Sequence, residues 1–185
     1  IGLHTWSYYG EVSLQNPGEI SAIAVAGDAG EASATGSITR AQGFGPPAYS
    51  AGSASVYNAG SISAIASAGA GGSAYATAVV VIGEQGANLE NTGSILASAS
   101  GSYGIATAVA MDSTGLATLV NHGDILATGA GSSHVAVYSG SGATASIANY
   151  GSIAGSILSG AQDDSLANHA GATLVLRDDL VDLGA

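Results

Sequence analysis

The chain has no cysteine, so neither a disulfide framework nor a thiolate metal site can form. A missing thiol is allowed in any compartment and is typical of chains exported unfolded. Cations are nearly missing too: Arg40 and Arg177 stand against 13 acidic residues, for a formal net charge of −11. Binding nucleic acid requires Lys and Arg to neutralise phosphates, so DNA and RNA are excluded as partners. An anionic membrane surface fails by the same arithmetic. Charged residues of both signs make up only 8% of the 185, against about 25% in an ordinary soluble domain. A disordered chain shows the reverse, many charges and few apolar residues. Apolar stretches are broken by Gly and Ser well before 18 residues, which excludes a transmembrane helix and membrane insertion by this segment. No signal-peptide pattern is visible, and a start at Ile1 without Met reads as a mature product or a fragment.

Hydrophobic residues reach 46%, with Ala their largest part, beside 29 Gly. Such small side chains can fill only a thin core in which backbones lie close together. One string organises the whole chain. Asn-x-Gly-x-Ile occurs at Asn16–Ile20, Asn58–Ile62, Asn91–Ile95, Asn121–Ile125 and Asn149–Ile153, and a degenerate sixth copy starts at Asn168. Successive Asn residues are 42, 33, 30, 28 and 19 positions apart. A period of this length is the mark of a repeat architecture.

Each copy carries three strand-like phrases. The first alternates behind the motif, as in Ile20, Ala22, Ala24, Ala26 and again in Ile62, Ala64, Ala66, Ala68. The second is a run such as Ala74, Ala76, Ala78, Val80, repeated as Gly104, Ala106, Ala108, Ala110. The third leads back into the motif, as in Val12-x-Leu14-x-Asn16 and Ala54-x-Val56-x-Asn58. Alternation with period two belongs to half-buried strands. Gly and Asn between the runs are expected to supply turns with positive φ. Helix fails as the competing reading, because apolar residues repeat every two positions and Gly, Ser and Thr recur too often.

These features predict an all-β fold, a parallel β-solenoid of about five coils with three strands per coil. It is a single domain over 1–185, regular over about 12–176. Its right hand follows from the crossover rule. Coils stack about 4.8 Å apart, so Asn16, Asn58, Asn91, Asn121, Asn149 and Asn168 should form an internal ladder of amides. Residues 27–53, with Phe44, Pro46, Pro47 and Tyr49, read as a long loop insertion. Residues 177–185 read as a terminal cap or edge, because Leu174, Leu176, Leu180, Val181 and Leu183 are bulkier than their counterparts.

The repeat Asn-x-Gly-x-Ile-x-Ala-x-Ala, an Ala-rich strand and Gly-Ala-x-Leu-x-Asn together resemble the passenger regions of bacterial autotransporters and related surface β-helix proteins. The likeness covers about residues 12 to 176. It implies export across a bacterial envelope and an extracellular or cell-surface location, with adhesion more common in the family than enzymatic activity.

Chemistry-bearing residues are sparse. Asp163 with Asp164, and Asp178 with Asp179 and Asp182, are the carboxylate clusters. Adjacent strand residues point to opposite faces, so neither pair is held towards one substrate. Their oxygens make them weak candidates for calcium, against the simpler reading of solvated turns. No cofactor is expected, nor any catalytic residue. His122 and His169 follow ladder Asn residues two coils apart, about 9.6 Å, too far for a shared transition metal. They read as exposed turn histidines.

On the outer surface, Ile23, Val25, Ile65, Leu96 and Leu126 are expected to make an apolar stripe, with Val79 and Val81 adding to it. Such a stripe marks an interface, or is covered by the 27–53 loop. The expected role is therefore non-enzymatic: a structural or adhesive solenoid whose partners are copies of itself, head to tail or side by side, or a host surface or extracellular polysaccharide. A self-assembling filament subunit is the first alternative. Recognition of ice or flat polysaccharide is the second; Thr77 and Thr107 suit it, but the other copies do not continue the row.

Overall fold

The computed structural model describes residues 1–7, 10–41, 52–140, 142, 144–160, 162–176 and 181–183. No helix occurs among them. After β1 (Leu3–Ser7), the chain repeats a three-strand coil six times. The first coil holds β2 (Val12–Asn16), β3 (Glu19–Ala26) and β4 (Glu31–Ala41), the second β5 (Ser53–Asn58), β6 (Ser61–Ala68) and β7 (Ser73–Gly83). The third holds β8 (Gly86–Asn91), β9 (Ser94–Ser100) and β10 (Tyr103–Asp112), the fourth β11 (Leu116–Asn121), β12 (Asp124–Thr128) and β13 (Ser133–Ser139). The fifth holds β14 (Thr144–Asn149), β15 (Ser152–Ala154) and β16 (Ser156–Leu158), the sixth β17 (Ser165–Asn168), β18 (Thr173–Val175) and β19 (Val181–Asp182).

Like strands stack in parallel, giving a parallel β-solenoid with three walls. Sheet I runs β1-β4-β7-β10-β13-β16-β19, sheet II runs from β2 to β17, and sheet III from β3 to β18. The sixth coil is built on the degenerate copy: Asn168 stands in register with Asn149.

The register stacks each core position on its own kind. Leu14, Val56, Leu89, Leu119, Ile147 and Leu166 form one column inside sheet II. Ile20, Ile62, Ile95, Ile125, Ile153 and Leu174 form another inside sheet III. Alanines fill the space between, and Ala64, Ala76, Ala97, Ala106 and Ala127 are all buried. At the corner between sheets II and III stands the predicted asparagine ladder. Asn16 Nδ2 donates to Asn58 Oδ1 at 2.7 Å, and Asn58, Asn91 and Asn121 each donate onward at 2.8 Å. Asn149 completes the series to Asn168 at 2.7 Å. Each Nδ2 also reaches a backbone carbonyl of the next coil, as in Asn91 to Asp124 O at 3.3 Å.

Three expectations need correction. The span 27–53 is not one loop. Residues 31–41 form β4, which pairs with β7 from Glu31 opposite Ser73 to Ala41 opposite Gly83. The extra length of the first interval lies between Ala41 and Ser53, whose counterparts Gly83 and Gly86 are almost adjacent. Phe44, Pro46, Pro47 and Tyr49 fall outside the described residues. Regular pairing also starts earlier than residue 12, with Leu3 opposite Ser37. At the other end, Val181–Asp182 pair with Ile157–Leu158 as an edge strand, while 177–180 and 184–185 lie outside the described residues.

The second correction concerns parity. In sheet I two consecutive residues face inward, Ala78 with Val79 and Ala108 with Val109, so the alternation reverses there. Val79, Val81, Val109 and Met111 are therefore buried, and Val80 and Ala110 look outward. The reversal needs a small residue. A Cβ on Gly36 would stand 2.5 Å from Ala78 O and 3.0 Å from Ile62 Cγ2.

The third concerns the motif glycines. Positive φ occurs at Gly10, Gly71, Gly129, Gly155, Gly171 and Ala29 among the described residues, not at the glycines of the Asn-x-Gly motif. Those are glycine because the coils touch there. A Cβ on Gly60, Gly93, Gly123 or Gly151 would collide with the carbonyl of the corresponding glycine one coil before.

Replacing Asn91 by Leu strands the Asn58 donor and the Asn121 acceptor inside the wall, and should cost about 3 kcal/mol in urea unfolding. The same change at the exposed Asn168 should cost less than about 1 kcal/mol. Gly93→Ala should prevent cooperative folding or lower the melting temperature sharply, whereas Gly18→Ala, with open space around it, should fold normally; thermal circular dichroism distinguishes the two.

Candidate functional site

The inward positions are occupied by ladders, so any site lies on the outer walls or at the corners. On sheet III, Ile23 and Ile65 stand opposite one another, and Leu96 and Leu126 stand opposite one another one column away. Ile23 is 69% exposed and Val25 78%, while Ile65, Leu96 and Leu126 are partly covered. The expected stripe thus lies outward but breaks into two patches, because the register sets Leu96 beside Ser63 and Ser98 beside Ile65. Val79 and Val81 do not join it; both are buried in sheet I by the parity reversal.

Sheet II presents small polar residues outward. Ser13, Ser55, Asn88 and Thr118 form a row along the axis, the floor of a shallow groove of about 340 Å³ edged by Tyr57 and Glu90. Sheet I presents Thr35, Thr77 and Thr107 in one row. The threonine row is therefore longer than the sequence reading allowed. Its signal was legible in the phrases Ala34-Thr35, Ala76-Thr77 and Ala106-Thr107, but was lost when residues 27–53 were read as a loop.

The acidic residues do not gather. Among the described residues no three His, Asp or Glu side chains are placed to hold a metal ion. Asp164 Oδ1 accepts the N–H of Ala145, tying the entry of the sixth coil to β14. Asp163 is exposed, and Asp182 lies in the edge strand β19. Asp178 and Asp179 fall outside the described residues.

The corner after the ladder carries the clearest side-chain cluster. Tyr150 lies between His122 and His169, with ring centroids at 4.7 and 4.0 Å and planes inclined by 9° and 6°. The two histidines are thus not isolated turn residues but the outer members of a three-ring stack. The repeat places one residue per coil at this corner, and three consecutive copies carry a planar ring. Adjacent coils bring those rings to stacking distance.

Comparison with family models, with curated proteins and with solved structures yields no match to this chain.

Tyr150→Ala empties the middle of the stack and should lower stability by about 1 kcal/mol in urea titration, the scale of an aromatic pair. Ala59→Ser, at the same corner two coils before Thr92's successor His122, should leave stability within about 0.5 kcal/mol.

Proposed function

We propose that this chain is a non-enzymatic structural or adhesive solenoid module, exported and displayed at or released from a bacterial surface, in the manner of autotransporter passengers. The observation that carries this reading is the row arrangement of its outer residues. Some outer columns keep one residue class through successive coils, as Ser13, Ser55, Asn88 and Thr118 do on sheet II and Thr35, Thr77 and Thr107 on sheet I, so the molecule offers long ribbed walls. Acid–base catalysis instead needs donors and acceptors converging on one reacting atom. The repeat supports the bacterial surface reading through its likeness to passenger repeats, and the absence of cysteine suits export.

Of the ways in which copies could associate, the surface favours side-by-side contact through the Ile23, Val25 and Ile65 patch over head-to-tail stacking. Three features oppose the latter. The residue after each ladder Asn donates its N–H to the preceding coil's Asn carbonyl, as Ala59, Thr92, His122, Tyr150 and His169 do. In the first coil that residue is Pro17, which has no N–H to give, and proline is a common means of blunting a sheet edge. Acids stand in both terminal coils, Glu19 and Glu31 in one and Asp163 and Asp164 in the other. Finally, β1 extends sheet I one level beyond sheets II and III, the level that β19 of a preceding copy would occupy in a continuous stack.

Six coils at about 4.8 Å make a prism about 30 Å long. Negative-stain electron microscopy and small-angle scattering of the 185-residue chain, dilute and concentrated, with and without calcium, should show short particles or side-by-side pairs. Long fibres of uniform width would replace this reading with a filament subunit, and cleavage of a polysaccharide by the purified chain would refute the non-enzymatic part.

A further inference from the structure

The outer wall of sheet I carries a patch for which packing has no use. Tyr75 and Ile105 are side by side in the register of β7 and β10, and Tyr103 lies two residues before Ile105 on the same wall. Their exposures are 38%, 41% and 66%. Along one side of them runs the row of Thr35, Thr77 and Thr107. None of these three hydroxyls has a hydrogen-bond partner within the described residues, whereas Thr5, Thr92 and Thr114 each bond a neighbouring coil. The two tyrosine rings likewise meet no other ring among the described residues. Ser33, Ser73 and Ser133 complete the surrounding positions, and Glu31 is the one charge in these three columns.

We propose that this wall binds a neutral polysaccharide chain, the sugar faces lying on Tyr75, Tyr103 and Ile105 and the sugar hydroxyls meeting the threonine row. The inference rests on the adhesive reading above and gives that reading a ligand class. A sugar ring combines an apolar C–H face with a rim of hydroxyls, which are both donors and acceptors. An exposed aromatic ring offers an apolar face with a polar tip, and a threonine hydroxyl offers one donor and two acceptor lone pairs. Here the two kinds of group lie in neighbouring columns of a rigid sheet. The polymer is neutral because a net charge of −11 repels uronic-acid or sulfated chains. The patch on sheet III lacks the aromatic half of this chemistry: β3, β6 and β9 carry no aromatic residue, and two of the hydroxyls there are paired, Ser63 donating to Ser21 at 3.1 Å.

Affinity electrophoresis of the full chain through gels containing hydroxyethylcellulose, guar galactomannan or alginate tests the proposal. Retardation is expected in one or both neutral gels and not in alginate. Tyr75→Ala and Tyr103→Ala should each weaken retardation about fivefold, the scale of one aromatic contact, while Val25→Ser on sheet III should leave it unchanged. Passage unretarded through both neutral gels, equal retardation by alginate, or retardation that survives both tyrosine changes would overturn the proposal. So would freezing hysteresis that Thr77→Val abolishes in a chain that no neutral gel retards, since the row would then face ice. Scattering on the same samples separates the two readings. A prism of the expected length without retardation defeats the ligand assignment alone, and loss of that shape defeats the module on which it rests.

Discussion

Stacking at the Asn-x-Gly corner is the constraint from which the rest of the structure follows. Each coil must place an amide within hydrogen-bond distance of the next amide and bring two glycine backbones into contact. That fixes the coil spacing and the register of all three walls at once. A shift of one residue in any wall would turn its inward side chains outward. The buried asparagines resist such a shift, because a displaced amide loses partners on both sides inside the wall. The ladder therefore specifies the register as much as it stabilises the fold.

The thin core is a consequence of the same geometry. With sheets held this close, bulk is admitted in a few columns: the Leu and Ile columns behind sheets II and III, and, behind sheet I, the Val79, Val109, Val137 and Ile157 column and the pair Val81 and Met111. Alanine fills most of the rest. Where a hydroxyl enters a column of valines, as Ser37 does, it is buried without a partner, a local cost that the neighbouring coils avoid by carrying Val. The coils also shorten toward the C-terminal end. In the fifth, Gly155 at φ 134° turns the chain from β15 directly into β16, so that coil omits the first half of the sheet I strand.

Because the interior is committed to ladders, variation is left to the outer walls and corners. The walls differ in chemistry. Sheet II sets a row of small polar residues beside Tyr57 and Glu90, sheet III has aliphatic patches, and sheet I combines tyrosines with unpaired threonines. At one corner three planar side chains stack down the axis. A repeat that varies only at outward positions can present different surfaces on one scaffold without altering how the coils pack.

The repeat, the all-β class, the three strands per coil and the members of the asparagine ladder were legible in the sequence, because period-two alternation and a recurrent Asn-x-Gly-x-Ile survive any choice of loop length. The outward position of Ile23, Val25, Ile65, Leu96 and Leu126 followed from the same parity. What escaped were features that break the period or depend on contact between coils. The reversal at Ala78–Val79 is invisible to a rule of strict alternation, since both faces there are apolar. The strand over residues 31–41 was hidden by the extra residues that follow it. The reason for the motif glycines, and the stacking of Tyr150 between His122 and His169, depend on what lies one coil away. A sequence states which residues repeat. Only the stacked coils decide which atoms meet, because the distance between neighbouring copies is set by backbone hydrogen bonds across the walls and not along the chain.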